Sequence, residues 1–196
     1  MGLTPRGNSG GGNAITEKAF IDEVKVINTT DVSKQDPFPR DIALELEMEG
    51  DGLNFTMKHT IGGDFKRDAN SKVSGWGGAF PIDLLAEELG LYADKDAAET
   101  HMQAFETGII PQVMLTRLQG KTIYKVSYAC GLKDTGKIKY RNFNIVSLDK
   151  DKLMKSWTDS VAKGYPKNYT PDVVAETDDT TPLSNEKLPD FDDLPI

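Results

Sequence analysis

The residues with the clearest chemical potential are the basic side chains between positions 117 and 155. That stretch holds ten Lys and Arg against three Asp and Glu, in a chain of 196 residues whose net charge is −8. Such a local excess of positive charge predicts an anion-binding surface, although a solvated strand and helix surface is the common alternative for a run of charges. The ten are Arg117, Lys121, Lys125, Lys133, Lys137, Lys139, Arg141, Lys150, Lys152 and Lys155.

Aromatic rings lie among these cations, where they could stack on flat ligands. Tyr124 and Tyr128 share one face of a predicted strand and Lys125 faces the other way, and the sequence leaves open which face is outward. Tyr140 lies between two basic residues, and Trp76 lies in a glycine-flanked loop that follows three of them. For these rings a core position remains as compatible with the sequence as a stacking role.

Side chains for catalysis or metal binding are few. The chain has two histidines, His59 and His101, and one cysteine, Cys130. This supply excludes an internal disulfide framework and leaves little for a histidine-based triad or a cysteine-based zinc site. Glu45 and Glu47 share a strand face and keep a metal nuclease as one alternative. The sequence favours a protein that is not an enzyme and that uses no cofactor or metal.

Alternating apolar and polar residues predict β-strands over much of the chain. His59 falls on an apolar side and is predicted to be a core histidine. Asp51-Gly52 has the composition of a hairpin turn. The predicted strands cover residues 18–28, 42–48, 55–61, 113–117, 123–128 and 139–148.

Helical spacing is confined to three segments. Pro81 begins a helix that ends at Gly90, residues 94–106 form a second, and Asp149 caps a last helix that extends to about residue 163. Three strands, a helical insert and further strands follow the order of an oligonucleotide/oligosaccharide-binding (OB) fold. We therefore predict a mainly β, OB-fold-like barrel of five or six strands, with a helical insert between strands 3 and 4 and a C-terminal helix. A β-sandwich would produce similar local patterns.

Composition divides the chain into three parts. Residues 1–13 are predicted to be a disordered Gly-rich N-terminus, residues 14–165 the barrel domain, and residues 166–196 a flexible, disordered acidic tail. No apolar run approaches the length of a membrane helix, and the N-terminus lacks the apolar core of a signal peptide. We therefore expect a cytoplasmic protein without membrane partners.

The last eight residues, Pro189-Asp190-Phe191-Asp192-Asp193-Leu194-Pro195-Ile196, combine carboxylates with apolar side chains. This pattern is typical of a docking peptide, whose apolar side chains enter a pocket while Lys or Arg around the pocket pair the carboxylates. An acidic end that only improves solubility is the alternative. The residues of the predicted protein-docking tail are Asp190, Phe191, Asp192, Asp193, Leu194, Pro195 and Ile196.

This tip resembles the acidic C-terminal tip of bacterial and phage single-stranded DNA-binding proteins, in which an Asp-Phe-Asp-Asp segment ends in a proline and an apolar residue. The resemblance is close over about eight residues and otherwise one of architecture. It implies an OB-fold body that binds the strand and a tip that recruits replication, recombination and repair enzymes. Ile196 stands where the bacterial tip usually has Phe, and the body lacks the bacterial core sequence. The first difference implies weaker or redirected docking to host pockets. The second, together with the size of the chain and its compact linker, favours a phage-type member, which would act in the cytoplasm of the host cell.

We therefore expect a protein that coats and protects single-stranded DNA, with cations on the phosphates and rings on the bases. The unbound tail would compete for the basic groove. The alternative is a replisome or recombination adaptor that has the same tail and does not bind DNA. Whether the chain forms a homo-oligomer is left open. The predicted DNA contacts are Lys58, Lys66, Arg67, Lys72, Trp76, Arg117, Lys121, Tyr124, Lys125, Lys137, Lys139, Tyr140 and Arg141.

Overall fold

A computed structural model describes residues 13–16, 18–37, 39–50 and 56–174. The Gly-rich segment up to residue 12, the Asp51-Gly52 turn and the docking tail from Asp190 to Ile196 lie outside the described residues. Of the helices in the described ranges, none combines the length and the apolar character that a membrane crossing requires.

The fold is mainly β and is built on a nearly closed, five-stranded antiparallel barrel. The barrel strands follow the order β4-β3-β2-β7-β8, and β1 pairs with the beginning of β2. Asn144 on β8 donates to the carbonyl of Gly62 on β4 over 3.4 Å, so the two end strands approach each other. This arrangement is compatible with an OB-like barrel. The strands are β1 (Asn13–Thr16), β2 (Ala19–Asp31), β3 (Ile42–Gly50), β4 (Met57–Gly63), β5 (Lys66–Arg67), β6 (Val73–Gly75), β7 (Thr122–Leu132) and β8 (Ile138–Ser147).

Within the described ranges, four α-helices accompany the barrel, three of them between β4 and β7 in the chain. Asp94 accepts a hydrogen bond from the N–H of Ala97, and Asp149 accepts from those of Asp151 and Lys152, so each carboxylate caps the helix that follows it. A short 3-10 helix, Gly77–Ala79, leads into the first helix. The helices are α1 (Phe80–Glu88), α2 (Lys95–Glu106), α3 (Gln112–Leu118) and α4 (Lys150–Ala162).

The strand predicted for residues 113–117 is wrong, because this segment is helix α3. Val113 and Leu115 alternate as in a strand, but Met114 and Leu118, four positions apart, are the fully buried pair. That spacing places both side chains on one face of a helix, where they join the barrel core.

Two apolar clusters pack against opposite faces of the central strands. The larger contains inward residues of the barrel, among them Val24, Leu46 and Ile61, and is closed by α1. The smaller lies under α4, where the ring of Trp157 is 5.3 Å from that of Phe143. Because successive strand residues face opposite ways, one set of strands serves both clusters.

The chain continues to pack beyond residue 165, the end of the predicted domain. The Tyr169 ring lies 5.2 Å from Trp157, and the N–H of Thr170 donates to the carbonyl of Ala129 over 3.0 Å. The described part of the tail therefore leaves the barrel beside β7.

Candidate nucleic-acid interface

The hairpin that joins β7 to β8 carries a group of exposed cations. Its turn is closed by the N–H of Lys133, which donates to the carbonyl of Lys137 over 2.8 Å. Both lysines are exposed, as are Lys139 and Arg141, and Asp134 is the one carboxylate between residues 133 and 141. This hairpin therefore presents a positive surface, as the sequence predicted for the longer stretch.

An aromatic pair lies at the base of this hairpin. The rings of Phe20 and Tyr140 are 5.8 Å apart and inclined by 58°. Phe20 is opposite Ser127 on β7 and Tyr140 is opposite Ala129, so both rings are on the same face of the sheet. Tyr140 is 36% exposed. A ring held by a neighbouring ring and open to solvent on its other side can stack on a flat base.

The cations of β8 lie on the other face of that strand. Strand alternation places Lys139 and Arg141 opposite to Tyr140, and Arg141 pairs with Tyr128 of β7. Burial raises the pKa of the Tyr128 hydroxyl, and the Arg141 guanidinium opposes this rise. In the described part of the chain β8 is an end strand; its outer edge approaches β4 at Asn144, whereas residues 139–142 are exposed. A polynucleotide at this edge could stack on the ring and place its phosphates near the cations.

On the same face of the sheet as the aromatic pair, a polar cluster surrounds the buried side chain of Lys125. The ammonium of Lys125 donates to the Asp22 carboxylate over 2.7 Å, to the Ser127 hydroxyl over 3.0 Å and to the Asn142 amide oxygen over 3.1 Å. The Lys125 side chain is only 2% exposed and that of Asp22 only 8%. A buried ion pair needs such additional hydrogen bonds to offset the cost of desolvation.

Lys125 is therefore removed from the predicted DNA contacts. Its charge is held inside the barrel by Asp22, so it cannot meet a phosphate without breaking the cluster. The sequence left open whether Lys125 or the pair Tyr124 and Tyr128 faces a groove, and neither face does. Tyr128 is 5% exposed, and Tyr124 is half-buried against the cluster under α4.

His59 is the core histidine that the sequence predicted. It is 9% exposed, and its Nε2 atom has no hydrogen-bond partner among the described residues. Burial, together with the charge of Lys125, lowers its pKa to about 4, against the opposing effect of a hydrogen bond to the Phe143 backbone. The fold therefore holds His59 neutral at physiological pH.

This lowered pKa predicts a pH-dependent stability. The unfolded chain takes up a proton near pH 6.5 and the folded chain only near pH 4, so the contribution of His59 is complete above 6.5 and is lost as the pH falls towards 4. Between pH 7 and pH 5 we expect the free energy of unfolding to fall by about 2 kcal/mol more in the native protein than in His59→Gln. Urea unfolding at both pH values measures this. His101→Gln is the control, and its free energy of unfolding should fall between the two pH values as that of the native protein does. An equal fall in all three proteins would contradict the prediction.

A polar groove of about 560 Å³ extends from β8 towards the loop that joins β2 and β3. Its polar lining includes Asn144 of β8, Glu45 of β3, and Gln35, Asp36 and Arg40 of that loop. The amide and guanidinium groups suit base edges and phosphates, whereas the two carboxylates repel phosphates. The groove is therefore polar and carries charges of both signs.

Lys58 forms an ion pair with Glu45, one of the two carboxylates that line the groove. Its ammonium is 2.7 Å from the Glu45 carboxylate, and this hydrogen bond raises the pKa of Lys58. Lys58 remains at the predicted surface, but its charge is shared with Glu45. Among the described residues, including Glu45 and Glu47, no group of three His, Cys, Asp or Glu side chains that could hold a metal ion is found.

Trp76 does not project on a flexible loop. Its ring is 5.6 Å from Phe65 and 5.4 Å from Phe105, and it packs against the larger core cluster. A side chain at Gly63 would place its Cβ only 2.5 Å from the carbonyl of Gly78, so glycine lets this segment fold closely on β4. The glycines that suggested an open loop instead allow close packing, and Trp76 is not the predicted free stacking platform.

Other predicted contacts are scattered over the surface. Arg117 donates to the carbonyls of Leu89 over 2.8 Å and of Gly90 over 3.2 Å, so it binds the C-terminal end of α1. Lys121 is exposed in the turn between α3 and β7, at the opposite end of β7 from the cationic hairpin.

The remaining three predicted cations share a second small hairpin. Lys66, Arg67 and Lys72 lie on or between β5 and β6, which form a separate two-stranded sheet. Arg67 donates to Asp41 over 2.8 Å, whereas Lys66 and Lys72 form no ion pair in the part of the chain that the structure describes. Of the predicted DNA contacts, the structure brings together Lys137, Lys139, Tyr140 and Arg141.

Sequence reasoning missed two members of this group. Lys133 was counted in the basic stretch without being assigned a role, and Phe20 was assigned only to a strand. Strand alternation was the available signal for Phe20. It places Phe20 on the same face as the charged Asp22 and on the opposite face from the apolar Ala19 and Ile21. That alternation separates Phe20 from the apolar face of its own strand.

Comparison with known proteins identifies no relative of this chain. No family model, curated protein or solved structure matches the chain.

Proposed function

We propose that this chain is a non-enzymatic, single-stranded DNA-binding protein, with the β7–β8 hairpin as its principal contact. The observation that carries the proposal is the solvent-exposed Tyr140 ring, held by Phe20 beside four exposed cations. Bases would stack on the ring, and the cations would neutralise phosphates. The strand order of the barrel, with an OB-like arrangement, supports this assignment.

The acidic tip would give the protein a second function. Phe191, Leu194 and Ile196 among three aspartates suit a basic, apolar pocket on another protein. By its resemblance to the tips of single-stranded DNA-binding proteins, the tail would recruit replication, recombination or repair enzymes to the coated strand. DNA binding and recruitment are then separable along the chain.

Binding of fluorescently labelled oligo-dT, followed by anisotropy at several salt concentrations, tests the DNA-binding role. Affinity should fall as salt rises, with a log–log slope of about −0.7 for each phosphate neutralised. Replacing Lys133, Lys137 and Lys139 by Gln should reduce that slope by about 2. The control replaces Lys150, Lys152 and Lys155 on α4 by Gln, which changes the net charge by the same amount. Equal slopes for the two variants would locate the contact elsewhere.

Removal of residues 188–196 should separate the two roles. It deletes three aspartates and their apolar neighbours, so attraction between the remaining protein and DNA should be unchanged or stronger. We expect oligo-dT affinity to be preserved or raised, while co-purification of replication or recombination enzymes is lost. A chain with its aspartates intact and Phe191, Leu194 and Ile196 replaced by Ser is the control for charge. Weaker DNA binding by the truncated protein would contradict this division.

An adaptor that does not bind DNA is the second candidate. The same hairpin exposes Leu132, which is 40% exposed, together with Tyr140. Such a mixture of apolar and basic groups also suits an acidic protein surface. An adaptor would show no salt-dependent binding of oligo-dT, so the anisotropy titration separates the two candidates.

A further inference from the structure

The described residues contain an apolar pocket that is not part of the proposed DNA contact. Its volume is about 280 Å³, and its wall is formed by Phe65, Trp76, Met102 and Phe105. An apolar cavity of roughly 150 Å³ can hold a benzene ring, so this pocket has room for an apolar side chain as large as that of Phe. The two ring contacts of Trp76 keep the wall in place.

The small β5–β6 hairpin contributes residues 73–75 to the wall of this pocket and also carries two exposed lysines, Lys66 and Lys72. Lys66 is opposite Gly75, which lines the pocket, and Lys72 precedes Val73, which also lines it. Both lysines are exposed and form no ion pair among the described residues. Glu106 also lines the pocket and opposes them. An apolar cavity with two available ammonium groups suits a peptide that alternates apolar and acidic residues.

We propose that this pocket, here called the Trp76 pocket, binds the acidic tip of the same chain, residues 189–196. Phe191, Leu194 or Ile196 enters the cavity, and the neighbouring aspartates meet Lys66 and Lys72. This places the unbound tip away from the cationic β7–β8 hairpin and leaves that hairpin accessible to DNA. A partner enzyme would have to displace the tip from the pocket.

The length of the intervening chain permits this contact. The structure describes the chain up to Val174, and fourteen residues, 175–188, precede the tip. An extended segment of that length spans about 46 Å, whereas a domain of this size has a radius of gyration of about 15 Å. Covalent attachment also gives the tip an effective concentration of roughly millimolar, which favours it over a free peptide of equal affinity.

Tryptophan fluorescence tests the proposal, because Trp76 lines the pocket and Trp157, the other tryptophan, is 1% exposed in the cluster under α4. Replacing Phe191, Leu194 and Ile196 by Ser in the full chain should change the emission of Trp76. Titration of that variant with the peptide of sequence Pro189–Ile196 should restore the native spectrum. An unchanged spectrum at both steps would overturn the proposal.

Variants that change the charge near the pocket then test where the peptide binds. In the same tail variant, Lys66→Glu with Lys72→Glu should weaken peptide binding about tenfold, and Glu106→Gln should strengthen it about two- to fivefold. Lys150→Glu with Lys152→Glu on α4 is the matched control and should leave binding unchanged. Equal weakening by the two lysine pairs would reduce the contact to non-specific attraction and overturn the proposal.

The pocket and the DNA contact are tested separately, because the peptide titrations contain no DNA. Adding saturating oligo-dT at the end distinguishes two locations for the tip. Retention of the peptide supports the Trp76 pocket. Complete displacement would place the tip on the β7–β8 hairpin and overturn the proposal, while leaving the DNA-binding function intact.

Discussion

Replacing Lys125 by Met is expected to lower the free energy of unfolding by about 3–5 kcal/mol. The substitution removes the cation 2.7 Å from the Asp22 carboxylate, whose side chain is 8% exposed. The Ser127 hydroxyl still donates to that carboxylate over 2.9 Å, but it carries no charge. A buried carboxylate that loses an ion-pair partner this close is costly, and this cost exceeds the apolar gain from the methionine side chain. Urea unfolding at pH 7 measures the loss.

A double variant separates the charge from the packing. Combining Lys125→Met with Asp22→Asn removes both charges, so most of the lost stability should return. Lys121→Met, in the exposed turn just before the same strand, is the control and should change stability by less than about 0.5 kcal/mol. A loss below about 1 kcal/mol for Lys125→Met alone would show that the pair contributes little and that the barrel interior admits water.

The place of Lys125 could not be predicted from the sequence, although its strand could. Alternation correctly separated Lys125 from Tyr124 and Tyr128, but both faces of β7 are covered, one by the barrel core and the other by α4. The partner that makes burial of a lysine tolerable is Asp22, 103 positions earlier in the sequence. Such pairing depends on the register of β2 against β7, which no local pattern specifies.

The elements that were predicted correctly are those with strong local signals. The alternation in β3 and the capped helices α2 and α4 depend on residues within a few positions of one another. Helix α3 was missed because seven residues are too few for helical and strand spacing to be distinguished. Packing of Met114 and Leu118 against the core decides that segment.

The candidate site could be predicted only in part for the same reason. The group that includes Lys137, Lys139 and Tyr140 is contiguous in sequence and remains together on one hairpin. Trp76 and Arg117 looked equally suitable by type, yet the first packs against Phe105 and the second binds the end of α1. Cations and rings serve cores and helix ends as well as ligands, so composition alone overestimates a site.

Replacing Tyr140 by Ala should weaken binding of oligo-dT by about 5- to 150-fold, which corresponds to the loss of one stacked base at about 1–3 kcal/mol. Tyr140 is 36% exposed, so its removal opens no large cavity in the core. Stacking releases no counterions, and the dependence of affinity on salt should therefore remain native. Replacing Lys133, Lys137 and Lys139 by Gln should have the opposite effect. It reduces the dependence of affinity on salt and leaves the stacking ring in place.

Two tyrosine variants identify the ring as the source of this effect. Tyr140→Phe keeps the ring and removes the hydroxyl, so it should bind oligo-dT as the native protein does. Tyr165→Ala removes a ring that is 55% exposed after α4 and should also leave binding unchanged. Anisotropy titrations of the three variants at one salt concentration provide the comparison. If Tyr140→Phe is as weak as Tyr140→Ala, the hydroxyl and not the ring contacts the strand, and if all three bind normally the bases stack elsewhere on the barrel.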